Sequence, residues 1–187
     1  MLKFYYNGAP NPAKVALFLE EAGLPYEPVP IDTRNGDQHT PEFLAINPNA
    51  KVPAIVDGDV VMFDSNAILL YLAEKTDKFL PPKGDKARSE LLSWLMFVAS
   101  GVGPYSGQSV HFRLYAPEKN EYAQNRYAFE AQRHFGILDA RLAKRKLCTR
   151  RYVHDCRHGD VGLGAPDTDG ARRGRLGEIS ESQASGR

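Results

Sequence analysis

Residues 47–56 read N-P-N-A-K-V-P-A-I-V, and residues 63–72 read F-D-S-N-A-I-L-L-Y-L. In the first stretch, Val52-Pro53 precedes a short apolar run that is typical of a strand. A proline that opens a strand cannot donate to the ladder, so it lies at an edge or a turn. If the Val52-Pro53 bond is cis, the backbone N–H and C=O of Val52 face outward and can pair with an extended peptide.

The second stretch places Asp64-Ser65 where a polar turn meets an apolar helix. Ser65 is a good N-cap residue, and free N–H groups at a helix start favour an anion such as a carboxylate. The two stretches together therefore predict a site that holds a peptide backbone and a carboxylate close to each other.

The surrounding pattern predicts a small α/β domain. Residues 2–6 and 26–31 are typical of strands. Between them a helix is predicted, with Asn11 as its N-cap, Pro12 at its first position and Gly23 at its end. A hairpin is predicted to turn at Asp57-Gly58 and to lead into a helix over 65–74. The order β-α-β-α-β-β-α is that of a thioredoxin-like domain, which we assign to residues 1–78.

The pattern after this domain is helical. Residues 79–86, F-L-P-P-K-G-D-K, have the composition of a linker. Residues 87–98 and 118–146 then repeat apolar side chains at helical spacing. We therefore predict an α/β domain followed by an all-helical domain over 87–148.

Composition excludes several classes of protein. The formal net charge is +1, and no basic stripe indicates a nucleic-acid partner. No apolar run reaches membrane-spanning length, and the N-terminal residues lack the apolar core of a signal peptide. The cysteines, Cys148 and Cys156, form no CxxC pair, which fits a reducing, cytoplasmic location.

The segments V-P-A-I-V and D-S-N-A-I-L-L-Y-L-A, in this order and spacing, resemble the glutathione-binding half of cytosolic glutathione transferases. The resemblance runs from Leu2 to about Lys146 and is greatest to the bacterial nu-class proteins and their yeast regulatory relative, through E-F-L-x-I-N-P-N-x-K-V-P-A-I-V. It implies glutathione as co-substrate, a small electrophile, disulfide or peroxide as second substrate, and a homodimer.

Glutathione is the tripeptide γ-Glu-Cys-Gly. The resemblance therefore implies separate binding residues for its γ-glutamyl, cysteinyl and glycyl groups. Ser65 would bind the γ-glutamyl carboxylate and Asp64 its ammonium, although both also suit a plain helix cap. Val52 would pair with the cysteinyl backbone, with Pro53 holding the turn. The glycyl carboxylate is assigned to Lys51 and Gln38; Lys51 equally suits a solvated surface position.

The residue that activates the thiol is open to two interpretations. Asn11 can donate an amide N–H to the sulfur at a positive helix end, and nu-like relatives carry Asn there. Tyrosine-type transferases instead use a Tyr at the end of the first strand, and Tyr5 or Tyr6 could be that residue. Strand alternation puts these two on opposite faces, so at most one can serve. We favour Asn11, although Ala9 replaces a Thr that relatives often carry.

Further residues of the helical domain complete the predicted site. Arg126 matches an Arg that in nu-like relatives reaches glutathione across a dimer interface; a solvated helix arginine is the alternative. A second-substrate pocket of mixed polarity is predicted from a cluster near the end of the first long helix, comprising Tyr105, Gln108, His111 and Tyr115. A lone histidine is more often structural than catalytic, and no second histidine completes a metal set.

Residues 149–187 differ from the rest of the chain. They contain seven Arg and no Lys, and they have neither helical nor strand periodicity. Permitted codons for 150–166 read one base further on encode GDTYTIVDMAMWGWAR, which resembles the capping box and tryptophan-containing helix that the family carries next. We therefore predict an out-of-frame tail rather than a disordered extension.

Such a tail leaves the helical domain without its central helix. Large apolar deletions cost several kcal/mol each, against a total stability of about 5–15 kcal/mol. We therefore expect an intact first domain and a partly folded or aggregation-prone product. Three functions follow: a nu-like glutathione transferase with disulfide reductase, peroxidase or weak conjugating activity; a glutathione-binding regulatory protein with little turnover; or a non-functional frameshifted product.

Overall fold

The computed structural model describes residues 1–144, so the predicted tail at 149–187 lies outside the described residues. The elements follow in the order β1 (Leu2–Tyr6), α1 (Pro10–Ala22), β2 (Tyr26–Pro30), a 3₁₀ turn (Asp37–His39), α2 (Pro41–Ile46), β3 (Ala54–Asp57), β4 (Val60–Phe63), α3 (Ser65–Thr76), α4 (Lys86–Phe97), a π-helical turn (Val98–Val102), α5 (Gly103–Val110), a second π-helical turn (His111–Tyr115) and α6 (Glu121–Lys144). The predicted order β-α-β-α-β-β-α of the first domain is confirmed.

The four strands form one mixed sheet in the order β2-β1-β3-β4. β1 and β2 are parallel, as the strand-helix-strand pattern requires, and β3 runs antiparallel to both β1 and β4. Asp57 pairs with Val60, so the hairpin turns at Gly58-Asp59, one residue later than predicted. Gly58 has a φ of 61°, which a two-residue hairpin loop requires and which glycine adopts without strain.

Helix α1 begins at Pro10, so the prediction that Asn11 is its N-cap was wrong. Ala9 occupies the cap position, and its backbone N–H donates to the side-chain oxygen of Asn7 at 2.9 Å. Pro10 and Pro12 both lie in the first turn, where backbone N–H groups have no partner within the helix. Asn11 is thereby released from capping, and its side chain can serve the site described below.

The core of the first domain extends into the predicted linker and α4. Leu80 and Leu91 are buried in the same cluster as the apolar side chains of β1, α1 and α3. Phe79 packs edge-on against Phe18 of α1 at 5.3 Å between ring centroids. The linker therefore does not space two independent bodies, because its apolar side chains help to close the first core.

A carboxylate ties the β3–β4 hairpin to α3. Asp57 accepts a hydrogen bond from the hydroxyl of Tyr71 at 2.8 Å and is ion-paired with Lys75. The hydrogen bond from Lys75 lowers the pKa of the Asp57 carboxyl below its ordinary value, and that from Tyr71 adds to the effect. The cluster therefore stabilises the packing of α3 on the sheet while Asp57 is ionised.

The helical part packs α6 against the run from α4 to α5. A small core is formed by Val98, Val102 and Leu138. Above it, Gly101 lets α6 approach closely, because a Cβ at this position would lie 2.4 Å from Nε2 of His134. His134 is buried, stacks on Tyr105 with 5.1 Å between ring centroids, and places Nδ1 2.6 Å from the carbonyl of Glu130.

Candidate functional site

A cleft opens where the start of α1, the loop before β3 and the start of α3 meet. All of its lining residues belong to the first domain. They are Asn11, Asn47, Asn49, Lys51, Val52, Pro53, Phe63, Asp64 and Ser65. The sequence prediction placed six of these nine in one site, and the structure brings those six together.

The β4–α3 junction provides a helix start for an anion. Asp64, not Ser65, is the N-cap, which corrects the predicted assignment: one carboxylate oxygen accepts from the backbone N–H groups of Asn66 at 2.9 Å and Ala67 at 3.2 Å. Asp64 takes this role because its φ of 70° leaves the helix, whereas Ser65 is already helical. Within residues 1–144, the backbone N–H and hydroxyl of Ser65 have no protein partner, so both can donate to a ligand.

The loop before β3 is held by a buried amide. Asn47 is 1% exposed; its side-chain N–H donates to the carbonyl of Lys51 at 2.6 Å and its side-chain oxygen accepts from the N–H of Asn49 at 3.0 Å. The Val52-Pro53 peptide bond is cis. Val52 precedes β3 and takes no part in the described ladders with β1 and β4, so its backbone is left for a ligand strand.

The first turn of α1 brings one candidate activator to the cleft. Asn11 lines it, whereas Tyr5 and Tyr6 do not. Tyr5 packs edge-on against Phe43 of α2, and Tyr6 stacks on Phe4 in the core of the sheet. The geometry therefore favours Asn11 over both tyrosines as the group that faces a bound thiol.

Two predicted ligands lie outside the cleft. Gln38 is in the 3₁₀ turn and donates from its side-chain nitrogen to the carbonyl of Thr33 at 3.3 Å. Arg126 is on α6 and pairs with Glu130 at 2.6 Å. The hydrogen bond from Arg133 and that from Arg126 lower the pKa of the Glu130 carboxyl. Within one chain, Arg126 therefore forms its ion pair inside α6 and does not line the cleft.

The four residues predicted to form a second-substrate pocket lie on α5 and the turn that follows it, and none of them lines the cleft. Tyr105 is partly buried between His134 and a neighbouring tyrosine of α6. Gln108, His111 and Tyr115 are exposed along α5 and the turn that follows it. His111 contacts the ring of its neighbour Phe112 edge-on. Tyr105 thus packs against α6, while the other three side chains are exposed.

Sequence reasoning missed Asn47, Asn49 and Phe63. All three were inside the two stretches that predicted the site, and the N-P-N turn was the available signal for the two asparagines. In the part of the chain that is described, no group of His, Cys and acidic side chains has the arrangement of a metal site. Nor does any helix among residues 1–144 have both the length and the apolar character needed to span a bilayer.

The fold is a thioredoxin-like domain followed by a helical domain, and the cleft lies in the first of these. A sequence profile described as "Glutathione S-transferase, N-terminal domain" matches residues 2–74. The chain is 44% identical over 149 residues to the disulfide-bond oxidoreductase YfcG of Escherichia coli (strain K12), covering 76% of this chain and 69% of that protein.

Solved structures agree with this match. A glutathione transferase from Pseudomonas putida, with one glutathione disulfide bound per subunit, superposes with a TM-score of 0.78 at 36% identity, over 86% of this chain and 71% of that one. A glutathione transferase family member from Pseudomonas fluorescens, with two glutathione bound, gives 0.77 at 38% identity, over 86% and 72%. The chain belongs to the glutathione transferase family.

Proposed function

We propose that this chain binds glutathione in the cleft and uses it to reduce disulfides or peroxides, with weak conjugation of electrophiles. The observation that carries the proposal is the convergence of three elements: the start of α3 with the backbone N–H and hydroxyl of Ser65, a loop with a free backbone edge, and the Asn11 side chain. Support comes also from the similar proteins, one an oxidoreductase for disulfide bonds and two crystallised with glutathione or its disulfide.

Each part of glutathione has a matching group in the cleft. The γ-glutamyl carboxylate would accept from the backbone N–H and hydroxyl of Ser65 at the positive end of α3. Its ammonium would contact the carboxylate oxygen of Asp64 that the helix cap leaves unused. The cysteinyl backbone would pair with Val52. Lys51, which is exposed and lines the cleft, would attract the glycyl carboxylate together with Gln38.

The chemistry requires glutathione as thiolate. Asn11 would donate its amide N–H to the sulfur, which lowers the thiol pKa and increases the fraction of nucleophile at neutral pH. The thiolate attacks one sulfur of a disulfide, forms a mixed disulfide and releases the other sulfur as thiolate. A second glutathione thiolate attacks the mixed disulfide, so two glutathiones become one glutathione disulfide and the substrate yields two thiols. A peroxide would consume two glutathiones to give an alcohol and water.

The helical domain would supply the rest of the active unit. We place Arg126 at the glutathione site of a partner subunit in a homodimer, because it is on α6 and outside the cleft of its own chain. The second substrate would meet the sulfur beside Tyr105, Gln108, His111 and Tyr115. The reaction needs a pool of reduced glutathione, which agrees with a cytoplasmic location.

A binding protein with little turnover is the second candidate, and one contact favours it. The backbone N–H of Ala9 already donates to Asn7, and Ala9 has no hydroxyl. Asn11 is then the one side-chain donor that α1 brings to the cleft. The third candidate is a damaged product of a frameshift, and resequencing the locus across codons 140–160 tests it. If the given sequence contains an insertion or deletion error there, the corrected reading frame would encode the missing helices.

Calorimetric titration with glutathione, followed by a disulfide-reduction assay coupled to glutathione reductase, tests the proposal. Ser65→Ala should weaken glutathione binding at least tenfold, since a hydrogen bond to a charged group contributes about 1.5–3 kcal/mol and about 1.4 kcal/mol is a tenfold change. Ser93→Ala is the matched control, because that hydroxyl is exposed on α4 and bonds only its own helix. Binding without turnover would select the second candidate, and no binding by the unmodified chain would contradict the proposal.

A further inference from the structure

A lysine is buried behind the wall of the cleft. Lys14 lies in α1 and is 4% exposed, whereas lysine side chains nearly always keep their ammonium in water. Its Nζ lies 3.5 Å from the side-chain oxygen of Asn66, which is itself buried. The cation is therefore held inside the first domain, between α1 and the start of α3.

This position connects the two helices that contribute to the cleft. Asn11 precedes Lys14 by one helical turn, so the two side chains share a face of α1. Asn66 directly follows Ser65, whose backbone N–H and hydroxyl are available to a ligand. The ammonium of Lys14 thus lies one side chain behind the place where the γ-glutamyl carboxylate would bind.

The start of α3 favours an anion. The carboxylate of Asp64 is turned toward the backbone N–H groups of Asn66 and Ala67, where it acts as the helix cap. The first turn of α3 itself carries a partial positive charge. A buried ammonium adds a full positive charge, and its field is screened less by protein than by water.

We infer that Lys14 is a positioning residue of the γ-glutamyl subsite: it fixes the side chain of Asn66 and its charge favours a ligand carboxylate at Ser65. The inference rests on the proposed function and deepens it, since it identifies the charge that selects ligands with a γ-glutamyl carboxylate. Lys14 does not touch the reacting sulfur, so it acts on binding rather than on the chemical step.

The test compares two ligands and two lysines. Glutathione and cysteinylglycine, which lacks the γ-glutamyl group, are titrated into the unmodified chain, Lys14→Met and Lys3→Met. Lys3 is exposed on β1 and serves as the matched control. Lys14→Met should weaken glutathione binding about tenfold and leave cysteinylglycine unchanged, as expected for a charge that acts across one side chain. In the disulfide assay the KM for glutathione should rise by the same factor with kcat unchanged.

Each outcome separates this inference from the proposed function. If the unmodified chain binds no glutathione, the proposed function fails. If it binds glutathione and Lys14→Met binds equally well, the inference alone is overturned. Equal weakening of both ligands would mean a purely structural role and would also overturn it. Should Lys14→Met fail to fold, Asn66→Ala keeps the charge and removes its contact; it must still weaken glutathione more than cysteinylglycine, or the inference is rejected.

Discussion

Truncation of Asn47 should damage both the stability of the first domain and its ligand site. Its side chain is 1% exposed and makes two hydrogen bonds, to the carbonyl of Lys51 at 2.6 Å and from the N–H of Asn49 at 3.0 Å. Each such bond contributes about 0.5–1.5 kcal/mol, so Asn47→Ala should cost about 1–3 kcal/mol. A loss of about 2 kcal/mol lowers Tm by roughly 4–8 °C in a chain of this size.

Asn47→Ala should weaken glutathione binding as well as lower stability. The two hydrogen bonds of Asn47 hold the loop that places Lys51 and Val52 at the cleft. Their removal should therefore weaken the ligand's contacts with both residues. Thermal denaturation followed by circular dichroism gives the Tm, and calorimetric titration gives the dissociation constant for glutathione, which should rise at least tenfold, about 1.4 kcal/mol. Asn125→Ala, at an exposed position of α6, is the matched control.

A more specific variant tests the reasoning about donors. Asn47→Asp keeps the shape and the acceptor for Asn49 but removes the donor to Lys51 and buries a carboxylate against a carbonyl oxygen. Burial of a charge without a donor costs more than truncation. If Asn47→Ala leaves both Tm and glutathione affinity unchanged, or if Asn47→Asp is tolerated better than Asn47→Ala, the assigned role of this amide is wrong.

Three further predictions concern separate parts of the chain. Asn11→Ala should lower kcat for disulfide reduction about tenfold and shift its pH profile upward with little change in KM; a changed KM alone would contradict its role at the sulfur. Gly101→Ala should lower the free energy of unfolding by about 1–3 kcal/mol, because the new Cβ would lie 2.4 Å from His134. Gly107→Ala is the control: it has open space around it and should leave Tm unchanged or raise it in thermal denaturation. The pKa of Asp57 is lower in the folded chain than in the unfolded chain, so protonation of this carboxyl favours unfolding. The free energy of unfolding should therefore fall as the pH drops below about 4. Denaturant titrations should find that Asp57→Asn removes this part of the pH dependence.

The sequence could predict the fold because its local signals agree. Hydrophobic periodicity, turn residues and proline positions each indicated the same β-α-β-α-β-β-α order, and the sheet has that order. The errors lay in element boundaries, at helix starts and at the β3–β4 hairpin turn. At α3 both Asp64 and Ser65 are residues that cap helices, and the choice between them depends on the backbone turn at the end of β4, which sequence alone does not define.

The site was predictable where it is continuous in sequence and not where it depends on packing. Lys51, Val52 and Pro53 are neighbours in one loop, so one motif identified them together. Asn47 was missed because its amide gains a role only when the loop folds back over it. The second-substrate pocket predicted around Tyr105 and Gln108 stays a prediction, because these residues do not line the cleft.

The location of the cleft separates glutathione binding from turnover. Every lining residue lies between positions 11 and 65. Among residues 1–144, the helical part joins the core beneath them through the linker and α4, where Leu80 and Leu91 are buried. Damage after residue 148 would therefore spare the cleft and remove groups that meet the second substrate or a partner subunit. We expect this chain and a version with the repaired reading frame to bind glutathione with similar affinity, while the repaired version reduces disulfides faster. Equal turnover by the two chains would contradict this division, and a lost affinity in the chain with the given tail would mean that the first domain depends on helices beyond α6.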